Sequence, residues 1–145
     1  MSEENVELVR RYYEVFSAWL RAYWTNPGPL TETPGSEEIL KHLDPEVEWD
    51  WLLSPKVFRG LAQVLQAVAD WIQTMDDWRV EAQELIDGQG DRVLAIVRVI
   101  ARGKGSGIRV DQLSFTVIAV RNDKIARIEE HAERAEALEA AGLSE

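Results

Sequence analysis

Residues 78–132 read WRVEAQELIDGQGDRVLAIVRVIARGKGSGIRVDQLSFTVIAVRNDKIARIEEHA, and the fold turns on how this stretch is divided. Four runs rich in β-branched residues, at about 78–86, 92–102, 108–121 and 124–132, are separated by short turn signals. These signals are Asp87-Gly88-Gln89-Gly90, then Gly103-Lys104-Gly105-Ser106-Gly107, then Asn122-Asp123. Links this short cannot carry a crossover, so the strands are predicted to run antiparallel as a meander. Upstream, Val47-Glu48-Trp49-Asp50-Trp51 alternates with period two and predicts a further strand. Val47, Trp49 and Trp51 share one of its faces; Glu48, Asp50 and Leu52 share the other.

The remainder is helical or turn. Val6, Val9, Tyr13, Phe16, Leu20 and Tyr23 recur at helical spacing, with Leu8, Tyr12, Val15 and Trp19 as a second apolar row, so the first helix is predicted to be buried along much of its length. Asn26-Pro27-Gly28-Pro29 stops it, and residues 25–35 read as a loop, either a cover for a pocket mouth or a surface insertion. A short helix follows over 36–43, then an Asp44-Pro45 turn. After Gly60, an amphipathic helix carries Leu61, Val64, Leu65, Val68, Trp71, Ile72 and Met75. A last helix starts at Glu133, with Gly142 as its stop. Helices early and strands late give an α+β protein. A strongly curved antiparallel sheet wrapped around N-terminal helices makes a half-closed cone with one concave pocket.

Length and composition set limits on function. A chain of 145 residues is predicted to form one domain, 1–145. It carries 16 Lys+Arg against 26 Asp+Glu, a formal charge of −10 that repels phosphate backbones and anionic lipids, so nucleic acid and membrane are not expected as partners. The absence of Cys excludes disulfides, thiolate metal sites and cysteine nucleophiles, and His42 and His131 alone do not suggest a metal site. No cofactor is implied. No apolar run approaches the ~20 residues of a membrane span, and MSEENVELVRR is too polar for a signal peptide, which predicts a cytoplasmic protein.

Several side chains are candidates for a site. Six tryptophans, at 19, 24, 49, 51, 71 and 78, can line a pocket for a planar molecule or fill a core. Glu130 alternates with Ile128 and Ala132, which makes its face the inner one, whereas Glu129 and His131 take the outer face. Arg98 interrupts Leu94, Ile96 and Ile100; it either orients a ligand or forms an ion pair with a neighbouring strand or a dimer partner, and Asp111 and Gln112 lie roughly opposite it across the following turn. The strand at 108–121 is apolar on both faces, with Leu113, Phe115 and Val117 opposite Val110, Ile118 and Val120. Helices are expected to cover only the concave face, so the convex one predicts a homodimer through the sheet.

The chain resembles the SnoaL-like polyketide cyclase branch of the nuclear-transport-factor-two-like superfamily. The likeness is carried by Glu4-Asn-Val-Glu-Leu-Val-Arg-Arg-Tyr-Tyr-Glu, Leu43-Asp-Pro-Glu-Val-Glu-Trp, Phe58-Arg-Gly, Glu84-Leu-Ile-Asp-Gly, Asp123-Lys-Ile and the Glu133-Arg-Ala-Glu-Ala-Leu-Glu-Ala-Ala-Gly-Leu tail. It spans nearly the whole chain, apart from an apparent insertion at 21–36. The superfamily holds isomerases, cyclases, epoxide hydrolases and members without a known reaction, so the resemblance bears on fold more than on activity. It implies a general base at Asp50, an oxyanion donor at Tyr12 and an acid/base group at Glu130, two carboxylates sharing one cavity. The second acid of the isomerases has no counterpart in Leu113-Ser-Phe-Thr-Val. The pocket wall is assigned to Trp49, Trp51, Tyr13, Phe16, Trp71, Arg98, Phe115 and Ile128. The expected function is binding of a small hydrophobic molecule, with cyclase, isomerase or hydratase chemistry and no cofactor. A non-catalytic binding or interaction module is the alternative.

Overall fold

A computed structural model describes residues 2–52 and 54–143. The order is α1 (Ser2–Thr25), a 3-10 turn (Leu30–Glu32), α2 (Ser36–His42), β1 (Leu43–Asp50), β2 (Phe58–Arg59), α3 (Leu61–Gln73), β3 (Met75–Asp87), β4 (Arg92–Gly103), β5 (Arg109–Arg121), β6 (Lys124–His131) and α4 (Arg134–Ala140). The strands form one curved, unclosed sheet in the order β2-β1-β6-β5-β4-β3. Among the described residues, no helix is long and apolar enough to cross a membrane.

β3 to β6 form the antiparallel meander predicted from the turn signals. The β5–β6 turn places Asn122 and Asp123 at φ 51° and 60°, a left-handed pair that these two residue types tolerate better than most. β1, the further strand predicted from residues 47–51, joins the sheet in parallel with β6, with Trp49 opposite Ile128 and Asp50 opposite Glu129. The two strands are far apart in sequence, and no local signal encodes that pairing. β1 starts at Leu43, earlier than the alternation indicates, because the expected Asp44-Pro45 turn is absorbed as a register shift within the strand. There the Asp44 carboxylate accepts the Glu46 N–H at 2.8 Å, which holds its pKa below the ordinary value.

α1 lies across the concave face with Val9, Tyr12, Tyr13, Trp19 and Leu20 buried against the sheet and its neighbours. Trp24 donates its indole N–H to the Trp78 carbonyl at 3.0 Å and ties α1 to β3. The 25–35 segment packs on α1 away from the cone. Trp19 donates to the Leu30 carbonyl at 3.2 Å, Thr33 is buried, and Gly35 at φ 102° brings the backbone against the Trp19 side chain. It lines a separate recess with Ile39 and Leu65 and does not cover the concave pocket.

One expectation about the sheet is corrected. Helices cover both faces. α4 folds onto the convex side, where Ala137, Leu138 and Ala141 pack with Leu94 and Val117 in a second buried cluster, flanked by Ile86 and Phe115. The double-sided apolarity of β5 is thus satisfied in part within the chain. Beyond the reach of α4, Leu113 is 48% exposed.

This cluster predicts a specific cost. Leu138→Ala removes a 6%-exposed side chain from it. The expected loss is about 2–3 kcal/mol in urea denaturation. A loss under about 0.5 kcal/mol would mean that α4 does not hold the convex face in solution.

Candidate active site

The concave face of the sheet closes over a cavity of about 100 Å³. Its walls follow from strand alternation and helix phase. Trp49 and Ile128 are opposed across β1 and β6 and face inward together. Two residues on from Ile128, Glu130 shares that face. Val97 and Val99 come from β4, Val80 and Trp78 from β3, and Ser114, Thr116 and Gln112 from β5. α1 supplies Tyr12, Tyr13 and Phe16, and α3 supplies Val64, Val68 and Trp71. Leu52 and Gln112 are exposed and mark the mouth.

The aromatic rings form a continuous belt. Tyr13, Tyr12, Phe16, Trp78, Trp71, Trp51 and Trp49 follow one another with centroid separations of 5.1, 5.7, 5.7, 6.3, 4.8 and 4.9 Å. Every step but the last is edge-to-face, with interplanar angles from 69° to 90°; Trp51 stacks on Trp49 at 22°. Edge-to-face contacts place negative ring faces against positive edges, at about 0.5–1.5 kcal/mol per pair beyond area burial. Trp71 Nε1 is buried and has no hydrogen-bond partner among the described residues.

Glu130 closes the belt. Its Oε2 accepts the Trp49 indole N–H at 2.8 Å, and its Oε1 accepts the Leu52 backbone N–H at 3.4 Å. It is the one charged side chain on the wall, which includes no Lys, Arg or His among the described residues. Burial raises its pKa from 4.5 to about 7; the two donated hydrogen bonds oppose that rise and the charge of Asp50 adds to it. Tyr12 and Tyr13 are buried beside it and their hydroxyls are pushed well above the usual range, mainly by desolvation, so both stay protonated donors.

The sequence reading placed eleven residues at the site, and the structure gathers eight of them on this wall: Tyr12, Tyr13, Phe16, Trp49, Trp51, Trp71, Ile128 and Glu130. Asp50, Arg98 and Phe115 are not on it. Asp50 is turned to the convex face because its neighbour Trp49 is turned inward. Its carboxylate is 42% exposed and lies 3.5 Å from Arg127, which also binds Glu48 and Glu129. The two carboxylates therefore do not share a cavity. Arg98 is exposed and bidentate to Asp111 at 2.9 and 2.7 Å, the ion-pair alternative of the sequence reading. Phe115 packs toward α4, since Ser114 and Thr116 on either side face the cone. The sequence reading had Trp78 only as one of six tryptophans able to line a pocket or fill a core, and it left out the valines of β3 and β4 and the Ser114-Thr116 pair, whose hydroxyls are 3.2 Å apart. Their strand phase was legible; the face that would be concave was not.

The comparisons fit this architecture. The model of the SnoaL-like domain matches residues 9–128. Among solved structures, a protein from Jannaschia sp. CCS1 named for SnoaL-like polyketide cyclases aligns with TM-score 0.68 at 17% identity, over 97% of this chain and 92% of that one. TerC, co-crystallised with polyporic acid, gives 0.67 at 21% identity over 95% and 97%. Bal32a, from a soil-derived mobile gene cassette, gives 0.72 at 16% identity over 97% of each chain. At these identities the likeness establishes the fold alone. No curated protein matches the sequence.

The carboxyl of Glu130 sets a pH dependence. Its proton is held more tightly in the folded than in the unfolded chain, so its stabilising contribution is full below pH 4.5 and is lost as the pH climbs through 7. Carboxyl NMR is expected to give a Glu130 midpoint near 7. Glu130→Gln is expected to flatten that part of the stability–pH curve and to be more stable than the parent at about pH 8. A midpoint at the ordinary carboxylate value would overturn the buried placement.

Proposed function

The chain belongs to the SnoaL-like domain family, and on that premise we propose that it binds a small apolar molecule in its cone and moves a proton on that molecule through Glu130. The observation that carries this reading is a lone carboxylate in an aromatic wall, with a pKa brought near neutrality by burial. A group that titrates near the working pH is populated in both forms and exchanges protons in either direction. Such transfer requires no cofactor. It suits enolisation, aldol-type cyclisation or addition of water.

The supporting roles follow from placement. Trp49 and the Leu52 N–H fix the carboxyl by one hydrogen bond to each oxygen. Tyr12, protonated throughout the ordinary range, is a donor for negative charge developing on a substrate oxygen. The unpartnered Trp71 N–H offers a second. Trp51, Phe16, Tyr13 and Ile128 shape the apolar surface. Asp50 and Arg98 lie outside the cone and are not assigned to the chemistry. TerC, whose fold is similar, was crystallised with an added small molecule, polyporic acid. We assign the protein to the cytoplasm, and to a homodimer in which a second copy covers the convex surface around Leu113 that α4 leaves open.

Two experiments test this. In deuterated water with a panel of small ketones, the protein is expected to speed NMR-detected exchange of the proton on the carbon beside the carbonyl. Glu130→Gln is expected to lower that rate by about 10²–10⁴-fold, and Asp50→Asn by less than about threefold. Binding without any Glu130-dependent exchange would favour the non-catalytic alternative. Sedimentation at micromolar concentration is expected to show a dimer, and a 16.5 kDa species alone would overturn that assignment.

A further inference from the structure

Two features of the cone bear on the charge of its occupant. The first is the geometry of the belt. Five of the six successive contacts are edge-to-face, the sixth stacks Trp51 on Trp49, and four of the seven rings are tryptophans. Indole faces carry the strongest negative quadrupole potential of the protein aromatics. The second is the charge balance of the wall. Glu130 is anionic when ionised, and no cationic side chain stands against it in the cavity among the described residues. The ammonium of Lys56 lies 5.9 Å from the Phe58 ring, and Lys56 is not on the wall. Both features favour a positive charge in the cavity. Buried carboxylates are otherwise paired or protonated.

From this we propose that the cone takes a compact organic monocation, an alkylammonium headgroup held among Trp49, Trp51, Trp71 and Trp78 with its charge toward Glu130. The proposal rests on the reading of the cone as a small-molecule pocket and narrows its occupant from an apolar molecule in general to one that carries a single positive charge. The cavity, about 100 Å³, limits the enclosed part of the occupant to a small headgroup. Any tail leaves through the mouth between Leu52 and Gln112. The chain's charge of −10 also raises the local concentration of cations. With a cation bound, Glu130 is held ionised, so of its two proton-transfer directions only that of a base remains. The titratable groups facing it are Tyr12 and Tyr13 from α1, and the charge of Asp50 acts on it from the convex side of β1. Neither tyrosine changes charge near neutrality.

The test uses the full chain and titrates three probes by tryptophan fluorescence and calorimetry. These are choline, its uncharged analogue with carbon in place of nitrogen, and phenol as a neutral aromatic. Choline is expected to bind at least about tenfold more tightly than the uncharged analogue at about pH 8. Its affinity is expected to fall about tenfold by about pH 6, as Glu130 takes up its proton. In Glu130→Gln the pH dependence and most of the preference for charge should vanish. If the uncharged analogue or phenol binds as well as choline or better, the cation assignment is overturned and the pocket reading stands. If none of the three binds, both fall.

Discussion

Glu130 accepts the indole N–H of Trp49 at 2.8 Å across the parallel pairing of β1 with β6, and much of the concave face is arranged around that bond. It joins the first strand of the chain to the last and sets which side of each is inward. A carboxylate in an apolar cavity is costly unless it is protonated or its charge is answered. Here the two hydrogen bonds stabilise the charged form and burial opposes it, and burial prevails. The site is therefore held close to its own titration midpoint at neutral pH. A small change in surroundings, such as a ligand dipole or a ligand charge, decides whether Glu130 keeps its proton.

The sheet makes this environment possible. Register shifts within β3–β4 and β5–β6 curl the meander, so that its concave side is lined by residues from every long strand. α1 and α3 fill the inner part of the cone, and their aromatic residues stop short of filling its mouth. On the convex side the chemistry is different. α4 seals an apolar patch over β4 and β5. Next to it, Arg127 gathers Glu48, Asp50 and Glu129, and His131 lies 2.6 Å from Glu129. Those acids are solvated or ion-paired, and the strand pleat keeps them apart from Glu130.

Much of the fold was legible because it is local. Gly-rich turns, the Asn122-Asp123 reversal, strand alternation and the two apolar rows of α1 are each encoded within a few residues. The site was legible in part for the same reason: the alternation of Ile128, Glu130 and Ala132 assigned Glu130 to an inner face from adjacent side chains alone. Asp50 shows the limit. Trp49 and Asp50 occupy opposite faces of one strand, and either assignment satisfies the alternation. Similarity to relatives pointed to Asp50, whereas packing turned Trp49 inward. Phe115 was ambiguous in the same way, on a strand apolar on both sides.

The sequence by itself determined the order of elements, the antiparallel meander, the acidic and thiol-free chemistry, and the pool of aromatic residues from which a pocket could be made. These depend on local propensity, periodicity and composition, which act over a few residues at a time. Tertiary structure alone decided that β1 lies parallel to β6, that α4 covers the convex face, and that seven rings meet end to end around a single unpaired carboxylate. Each of these depends on which of two chemically acceptable faces is buried, and that choice is made by the packing of segments distant in sequence.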